Sequence, residues 1–415
     1  MLPPKWVPPI PSPYVHHTLT LPSALPNTAS TNIPALLHLS MVPLLPNPLP
    51  DALPMPTDEP YTVRKTEDRG YAMFANRPIP RGALIKLEHP IYILPALPLD
   101  EPSSYERLGE GIEDGDYAEM LTMANCRSKE ECPSIIEGVA RTNALTLGFH
   151  FPLGADSDHH LSKPLARQYG GVFLKINRCN HACGPNASYK WSLPTLTARL
   201  YALRSIAPNE EITINYTDLL QPRSDRLRNL EKYYKFACDC KWCTFTDPEA
   251  QEKSDAARAF LGTYLNTHPS YRKWSMDICL PDTFVIESHL SAIQLIEKEG
   301  LDALLPLFLD EILRCYAELG DEDQFRVYAE RTRQLVAVAD PELATELASY
   351  LEDPIGNFPK WGARRMFREN QAKQQRRAVE EEIEDFFMDS LFGPPISSSN
   401  KRPSLANSTC VSTQG

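Results

Sequence analysis

Residues 1–60 of this 415-residue chain contain no glycine, no arginine and a single lysine, Lys5. A transit peptide is therefore not expected, since such leaders are arginine-rich. Long apolar runs are missing as well. Prolines interrupt each one, as in Ile33-Pro34-Ala35-Leu36-Leu37, and none reaches the roughly 20 residues of a membrane span. No signal peptide is expected ahead of the ten cysteines, which do not form the even framework of a short secreted domain. They are read as reduced thiols or metal thiolates of an intracellular protein, in nucleus or cytoplasm. A concentrated basic face is lacking too. Net charge is −2, +1 and −11 over residues 1–60, 61–245 and 246–415, so the acidity sits in the last third and direct nucleic-acid binding is not expected.

Sixteen of the 39 prolines fall in residues 1–60. That spacing removes ladder donors and breaks helices, so the stretch is expected to be a disordered, polyproline-like arm. From Tyr61 the texture changes to short β-prone runs bounded by turn residues, predicting strands at 71–75, 83–87, 91–94, 172–176, 196–203 and 211–215. A helix or two is expected within 101–140. After Cys243 the period becomes helical: Leu305, Phe308, Ile312, Cys315 and Leu319 recur at three- and four-residue spacing, as do Phe325, Tyr328, Thr332 and Leu335. Equivalent elements repeat near the roughly 34-residue tetratricopeptide period, without that repeat's signature residues. Beyond Pro359 a basic run (Arg364, Arg365, Arg368, Lys373, Arg376, Arg377) meets an acidic one starting at Glu380, which reads as a solvated helix or a nuclear signal. The Ser-rich tail from about 395 is expected to be disordered.

Cys238, Cys240 and Cys243 form a C-x-C-x-x-C cluster. One short loop of this kind aims several thiolates at a tetrahedral Zn²⁺, and a closed site needs a fourth ligand from elsewhere. Cys183 is the first candidate, with Cys179 and His181 behind it. Four thiolates leave no open position for water, so a zinc-dependent hydrolase is excluded.

Four blocks occur in order: Arg69-Gly70-Tyr71-Ala72-Met73-Phe74-Ala75; Asn180-His181-x-Cys183-x-Pro185-Asn186; Glu210-Glu211-Ile212-Thr213-Ile214-Asn215-Tyr216; and Tyr234-x-Phe236-x-Cys238-x-Cys240-x-x-Cys243. Together they resemble a SET-domain protein lysine methyltransferase, and most nearly the fungal SET proteins and the SET-and-MYND group. The MYND finger itself is missing: between Glu88 and Arg141 only Cys126 and Cys132 are available. Ala72 also stands where the family often has a second glycine.

The resemblance implies a mostly β SET fold of short strands with a pseudo-knot and a helical insert over 61–220, and a zinc-bound post-SET loop over 221–245. A C-terminal α-helical, tetratricopeptide-like domain follows over 250–355, then a charged helix and tail over 356–415. It implies S-adenosylmethionine and Zn²⁺ as cofactors, with zinc on Cys183, Cys238, Cys240 and Cys243. Arg69, Gly70, Tyr71, Asn143, Asn180, His181, Tyr216 and Phe236 are expected at the cofactor, Tyr234 and Tyr201 at the substrate channel, and Tyr216 as the catalytic hydroxyl. Glycine at position 70 suits a turn that wraps a ligand closely. The expected partner is a protein with an accessible lysine, on a basic tail or otherwise, and the expected state is a monomer off the membrane. A competing reading is an interaction protein, a SET scaffold that binds cofactor poorly and acts through its helical region.

Overall fold

The computed structural model describes residues 14–23, 30–54, 58–96, 103–148 and 168–392. They divide into two compact units. The first comprises Met1–Tyr264 with Leu295–Leu304 and Gln334–Pro341; the second comprises Leu265–Gln294, Leu305–Arg333 and Glu342–Gly415. The expected 250–355 helical domain is therefore not one unit, because its first helix and two helix ends belong with the β-rich part.

The first surprise lies in the proline-rich arm. β1 (Tyr14–Leu21) and β2 (Thr31–His38) pair antiparallel over their whole length, from Tyr14 opposite His38 to Leu21 opposite Thr31. The expectation of disorder fails for these residues. Two facts account for it. Ile33, Ala35, Leu36 and Leu37 are almost entirely buried, so β2 supplies core that offsets its ordering entropy. Its other neighbour is met only at Ala35 opposite Ile93, so few ladder bonds on that side depend on Pro34. The expectation fails also at Leu39–Leu44, a 3₁₀ helix with Met41 fully buried; residues 1–13, 24–29 and 55–57 of the expected arm lie outside the described residues, as does the Ser-rich tail.

The remaining strands are short. They are β3 (Tyr61–Lys65), β4 (Tyr71–Ala75), β5 (Leu84–Glu88), β6 (Tyr92–Pro95), β7 (Leu145–Gly148), β8 (Gln168–Val172), β9 (Asn180–His181), β10 (Ala187–Ser192), β11 (Thr197–Ala202) and β12 (Thr213–Ile214). They form a five-stranded sheet ordered β1-β2-β6-β8-β7, a three-stranded sheet β10-β11-β5, and the pairs β9-β12 and β3-β4. One core joins the sheets, with Leu21, Ile33, Met73, Phe173, Ile176 and Leu200 among its fully buried members. Where a strand was predicted at 172–176, the chain instead leaves the sheet at Val172 and enters a short 3₁₀ turn at Ile176–Arg178. Three helices, α1 (Ser103–Glu110), α2 (Asp114–Met120) and α3 (Ile135–Asn143), make the insert and pack Tyr105, Leu108, Met120 and Val139 onto β6 and β8.

After β12 come α4 (Arg223–Tyr234), α5 (Pro248–Thr267), α6 (Tyr271–Met276), α7 (Phe284–Glu299), α8 (Leu305–Leu319), α9 (Glu322–Val336), α10 (Pro341–Glu352), α11 (Pro354–Asn357) and α12 (Ala363–Phe392). The apolar periodicity is realised as expected, with Leu305, Phe308, Ile312 and Cys315 of α8 all fully buried. In the second unit Trp274 of α6 packs with Val285, Ile286 and Cys315. The basic run is not uniformly solvated. Arg364 is buried, lies 4.0 Å over the Trp274 ring, and donates to Asp282 and to the Trp274 carbonyl. Among the described residues no helix is long and apolar enough to cross a membrane.

Candidate active site and metal centre

β9 and β12 lie parallel, Asn180 beside Thr213 and His181 beside Ile214, which brings two blocks 30 residues apart in sequence into contact. Asn186 pins the junction. It is buried, accepts the Thr213 N–H at 2.8 Å, and donates to the Glu211 carbonyl at 2.8 Å. Glu211 in turn accepts from Asn180 at 2.8 Å and faces Arg69 at 3.6 Å, and Arg69 closes on both carboxylate oxygens of Asp239 at 2.7 Å. At the end of α4, Lys235 takes a left-handed φ of 61°, which stops the helix and sends Phe236 back toward the strands.

Between these elements lies a cavity of about 290 Å³. Arg69, Asn143, Asn180, His181, Tyr216, Tyr234, Phe236 and Asp239 are on its wall. A second cavity of similar volume is lined by Asn177, Cys179, Tyr189, Ile214 and Thr217, and it shares Thr142, Asn143, Tyr216 and Tyr234 with the first. Tyr216 therefore stands at the junction of both. Its hydroxyl donates to the Cys179 carbonyl at 2.6 Å, and its ring packs 5.0 Å from Tyr234 and edge-on to Phe236 at 6.5 Å. Burial pushes the Tyr216 hydroxyl well above the ordinary tyrosine range, the surface it keeps being cavity wall, so it stays protonated at any working pH.

His181 braces the site. Its Nδ1 accepts the Tyr216 N–H at 3.0 Å, and its Nε2 lies 3.3 Å from the Cys183 sulfur. One imidazole thus spans the tyrosine and the cysteine cluster.

The Sγ atoms of Cys183, Cys238, Cys240 and Cys243 all lie within 4.8 Å of one another, with Cys183 and Cys243 3.5 Å apart. Four thiolates at about 2.3 Å around a tetrahedral zinc are about 3.8 Å apart, a spacing within the 4.8 Å span of the tetrad, which could therefore hold such an ion. Cys183 is the fourth member, whereas the Cys179 sulfur points to Met73 at 3.7 Å. Arg226, fully buried on α4, donates to the Cys183 sulfur at 3.3 Å, the Gln221 carbonyl at 2.6 Å and the Trp242 carbonyl at 3.0 Å. Trp242 is gripped between Gly184 and Gly300, where a Cβ on either would overlap its ring.

Not every expected residue reaches the site. Tyr201 lines neither cavity: the alternation of β11 buries Ala198, Leu200 and Ala202 and turns Tyr201 to the other face, opposite Ser188. Gly70, with φ of 70°, and Tyr71 flank the Arg69 wall without lining it. Tyr189 and Arg226 lie outside the residues the sequence pointed to. An arginine on a helix reads as surface, and no local pattern marks Arg226 as a partner for sulfur.

A model of the SET domain matches residues 70–217. The chain carries a SET domain. Among its relatives, the histone-lysine N-methyltransferase set5 of Schizosaccharomyces pombe is 26% identical over 190 residues, 45% of this chain and 57% of that protein. The N-lysine methyltransferase SMYD2-B of Danio rerio is 41% identical over 73 residues, 18% of this chain and 16% of the relative. Human histone-lysine N-methyltransferase SMYD3 is 39% identical over 80 residues, 19% of this chain and 18% of the relative. The matches therefore span at most somewhat over half of these relatives.

Within the SET domain, Glu88 at the end of β5 accepts the N–H groups of Lys175 at 2.8 Å and Ile176 at 2.9 Å, holding the turn that leads to Cys179. Removal from water raises its pKa to about 7 against the opposing pull of those two N–H groups and of Lys86 and Lys175; the surface it keeps lines a groove beside β5. A carboxyl titrating near 7 when folded and near about 4.3 when unfolded keeps a proton that the unfolded chain has lost. Stability therefore falls as pH rises through that window and levels beyond about 7. Glu88→Gln is expected to flatten this fall in thermal midpoints taken from about pH 5 to 8; an unchanged slope would contradict it.

Proposed function

We propose that the chain is an S-adenosylmethionine-dependent protein lysine N-methyltransferase. The observation that carries this reading is the meeting of two cavities at Tyr216 and Tyr234 inside a SET domain. One cavity suits a cofactor and the other a lysine side chain, with the tyrosine pair between them. When bound, S-adenosylmethionine supplies a methyl group on a sulfonium centre.

The chain's own residues then divide the work. Phe236 offers a ring face for adenine. Asn180 and the Arg69–Glu211–Asp239 network offer hydrogen bonds and charge for the amino-acid end, and the Gly70 turn is open, since a Cβ there would meet nothing within 4 Å. Tyr234 and Tyr189 wall the opposite cavity. An attacking lysine must be neutral although its free pKa is about 10.4, and partial desolvation beside a cation favours that form. The Tyr216 hydroxyl, fixed by the Cys179 carbonyl, presents its oxygen where the methyl and amine meet, so alignment and local dipoles supply the catalysis.

In the same reading Cys183, Cys238, Cys240 and Cys243 hold zinc as a post-SET closure, and the helical region serves as a tetratricopeptide-like scaffold. The substrate class is a protein with an accessible lysine, histone or non-histone, and the acidic last third favours encounter with a basic tail. Calorimetry should give one S-adenosylmethionine site per chain, and labelled methyl should pass to lysine peptides on an array. Neither heat of binding nor label would remove the enzyme reading and leave the interaction protein.

A further inference from the structure

The helical unit contains a second convergence of metal-ligand side chains, remote in sequence from the cysteines and unused by the proposed chemistry. His268 follows the end of α5, His289 lies on α7 and Glu311 on α8, and all three fall within the second compact unit. Their ligand atoms lie within 4.8 Å of one another. His289 Nε2 is 2.8 Å from one carboxylate oxygen of Glu311, and His268 Nε2 is 3.7 Å from the other. Side-chain exposure is 0% for His289, 15% for His268 and 18% for Glu311. The two imidazoles are 5.4 Å apart, and the Phe308 ring stands edge-on to both, at 5.7 and 5.1 Å. The Tyr271 N–H donates to Glu311 at 3.0 Å.

A buried histidine–carboxylate hydrogen bond is complete with His289 alone. Here a second imidazole turns its Nε2 to the remaining carboxylate oxygen, so two nitrogens and a carboxylate from α7, α8 and the segment after α5 lie within 4.8 Å of one another. Around tetrahedral zinc, with bonds of about 2.0–2.2 Å to nitrogen and oxygen, ligand atoms sit about 3.3–3.5 Å apart, between the two separations seen. Paired imidazoles select a borderline metal such as zinc over calcium or magnesium, which prefer all-oxygen sets. The Tyr271 N–H supplies the outer hydrogen bond that orients a ligating carboxylate, and the apolar wall of Phe308 limits water.

We propose that His268, His289 and Glu311 bind one Zn²⁺ ion, with water in the fourth position, tying the segment after α5 to α7 and α8. Zinc uptake displaces the proton shared between His289 Nε2 and Glu311, and each imidazole keeps its remaining proton on Nδ1.

The test is zinc per chain, by elemental analysis of the full-length protein after dialysis against zinc and then metal-free buffer. The wild type should hold one more equivalent than Glu311→Gln or His268→Gln. Cys240→Ser, which disturbs only the thiolate site, should keep the helical one. If the wild type holds one equivalent that Glu311→Gln loses and Cys240→Ser keeps, the cysteine reading fails and this one stands. A Cys240→Ser chain without zinc, or a Glu311→Gln chain with the wild-type content, overturns the proposal. Should circular dichroism show Glu311→Gln to be misfolded, His268→Gln at the rim and the Cys240→Ser result decide the matter.

Discussion

Tyr216→Phe should lower methyl transfer by about a hundredfold or more, the scale on which loss of one preorganised polar contact to a transition state reduces kcat. Binding of S-adenosylmethionine should change only a few-fold. The contrast follows from what the two halves of the side chain do. The ring holds the contacts to Tyr234, His181 and Phe236, and phenylalanine keeps all of them. Only the hydroxyl is lost, and with it the oxygen at the junction of the cavities and the donor to the Cys179 carbonyl. That carbonyl left unpaired costs about 1 kcal/mol of stability, well short of unfolding. Single-turnover rates with labelled cofactor, set beside calorimetric binding, check both statements. A variant with wild-type rates would remove Tyr216 from the chemistry and leave it a packing residue.

Stripping zinc from the cysteine tetrad, or making Cys240→Ser, is expected to abolish cofactor binding while most of the SET core stays folded. Phe236, Ala237, Cys238 and Asp239 form one wall of the first cavity, and the loop bearing them packs on a small cluster in which, besides the cysteines themselves, only Leu230 is fully buried, with Leu219, Leu227 and Trp242 partly so. Structural zinc in small modules contributes on the order of 10 kcal/mol to folding, far more than that packing can replace. Two connections would carry the damage outward. Loss of Asp239 frees Arg69, and loss of order at Cys183 releases the imidazole that holds the Tyr216 backbone. Elemental analysis, calorimetry with S-adenosylmethionine and far-ultraviolet dichroism before and after chelation measure this. Full cofactor affinity in a zinc-free chain would show the loop to be ordered without metal.

The parts of the site legible in the sequence were those whose chemistry is local. Three cysteines within six residues declare a shared ligand, and the Asn-His-x-Cys and Ile-Thr-Ile-Asn-Tyr blocks declare themselves together. The structure brings Asn180, His181, Tyr216, Phe236 and Cys183 to one place because β9 and β12 lie side by side. What escaped depends on distant partners. Arg226 is held by a sulfur 43 positions away and by the Trp242 carbonyl 16 positions on, as well as by the nearby Gln221 carbonyl, and the first two leave no mark on the helix that bears it. β1 and β2 escaped because proline density argues for disorder only while the burial awaiting the strand is unknown. Tyr201 falls outside both cavities, and strand composition alone does not say which face borders one.

Arg226 also bears on how the cysteine loop would age under oxidants. With zinc seated, four thiolates leave an excess of negative charge that one buried guanidinium roughly halves, drawing electron density from Cys183 above all. Cys183, Cys238 and Cys243 are buried, and Cys240 alone of the tetrad retains appreciable surface. Peroxide would therefore reach Cys240 first, and a sulfenic acid there is the step that opens the metal cage. The sulfur facing water is one of the three on the Phe236 loop, and the sulfur that touches His181 and Arg226 is the one held back.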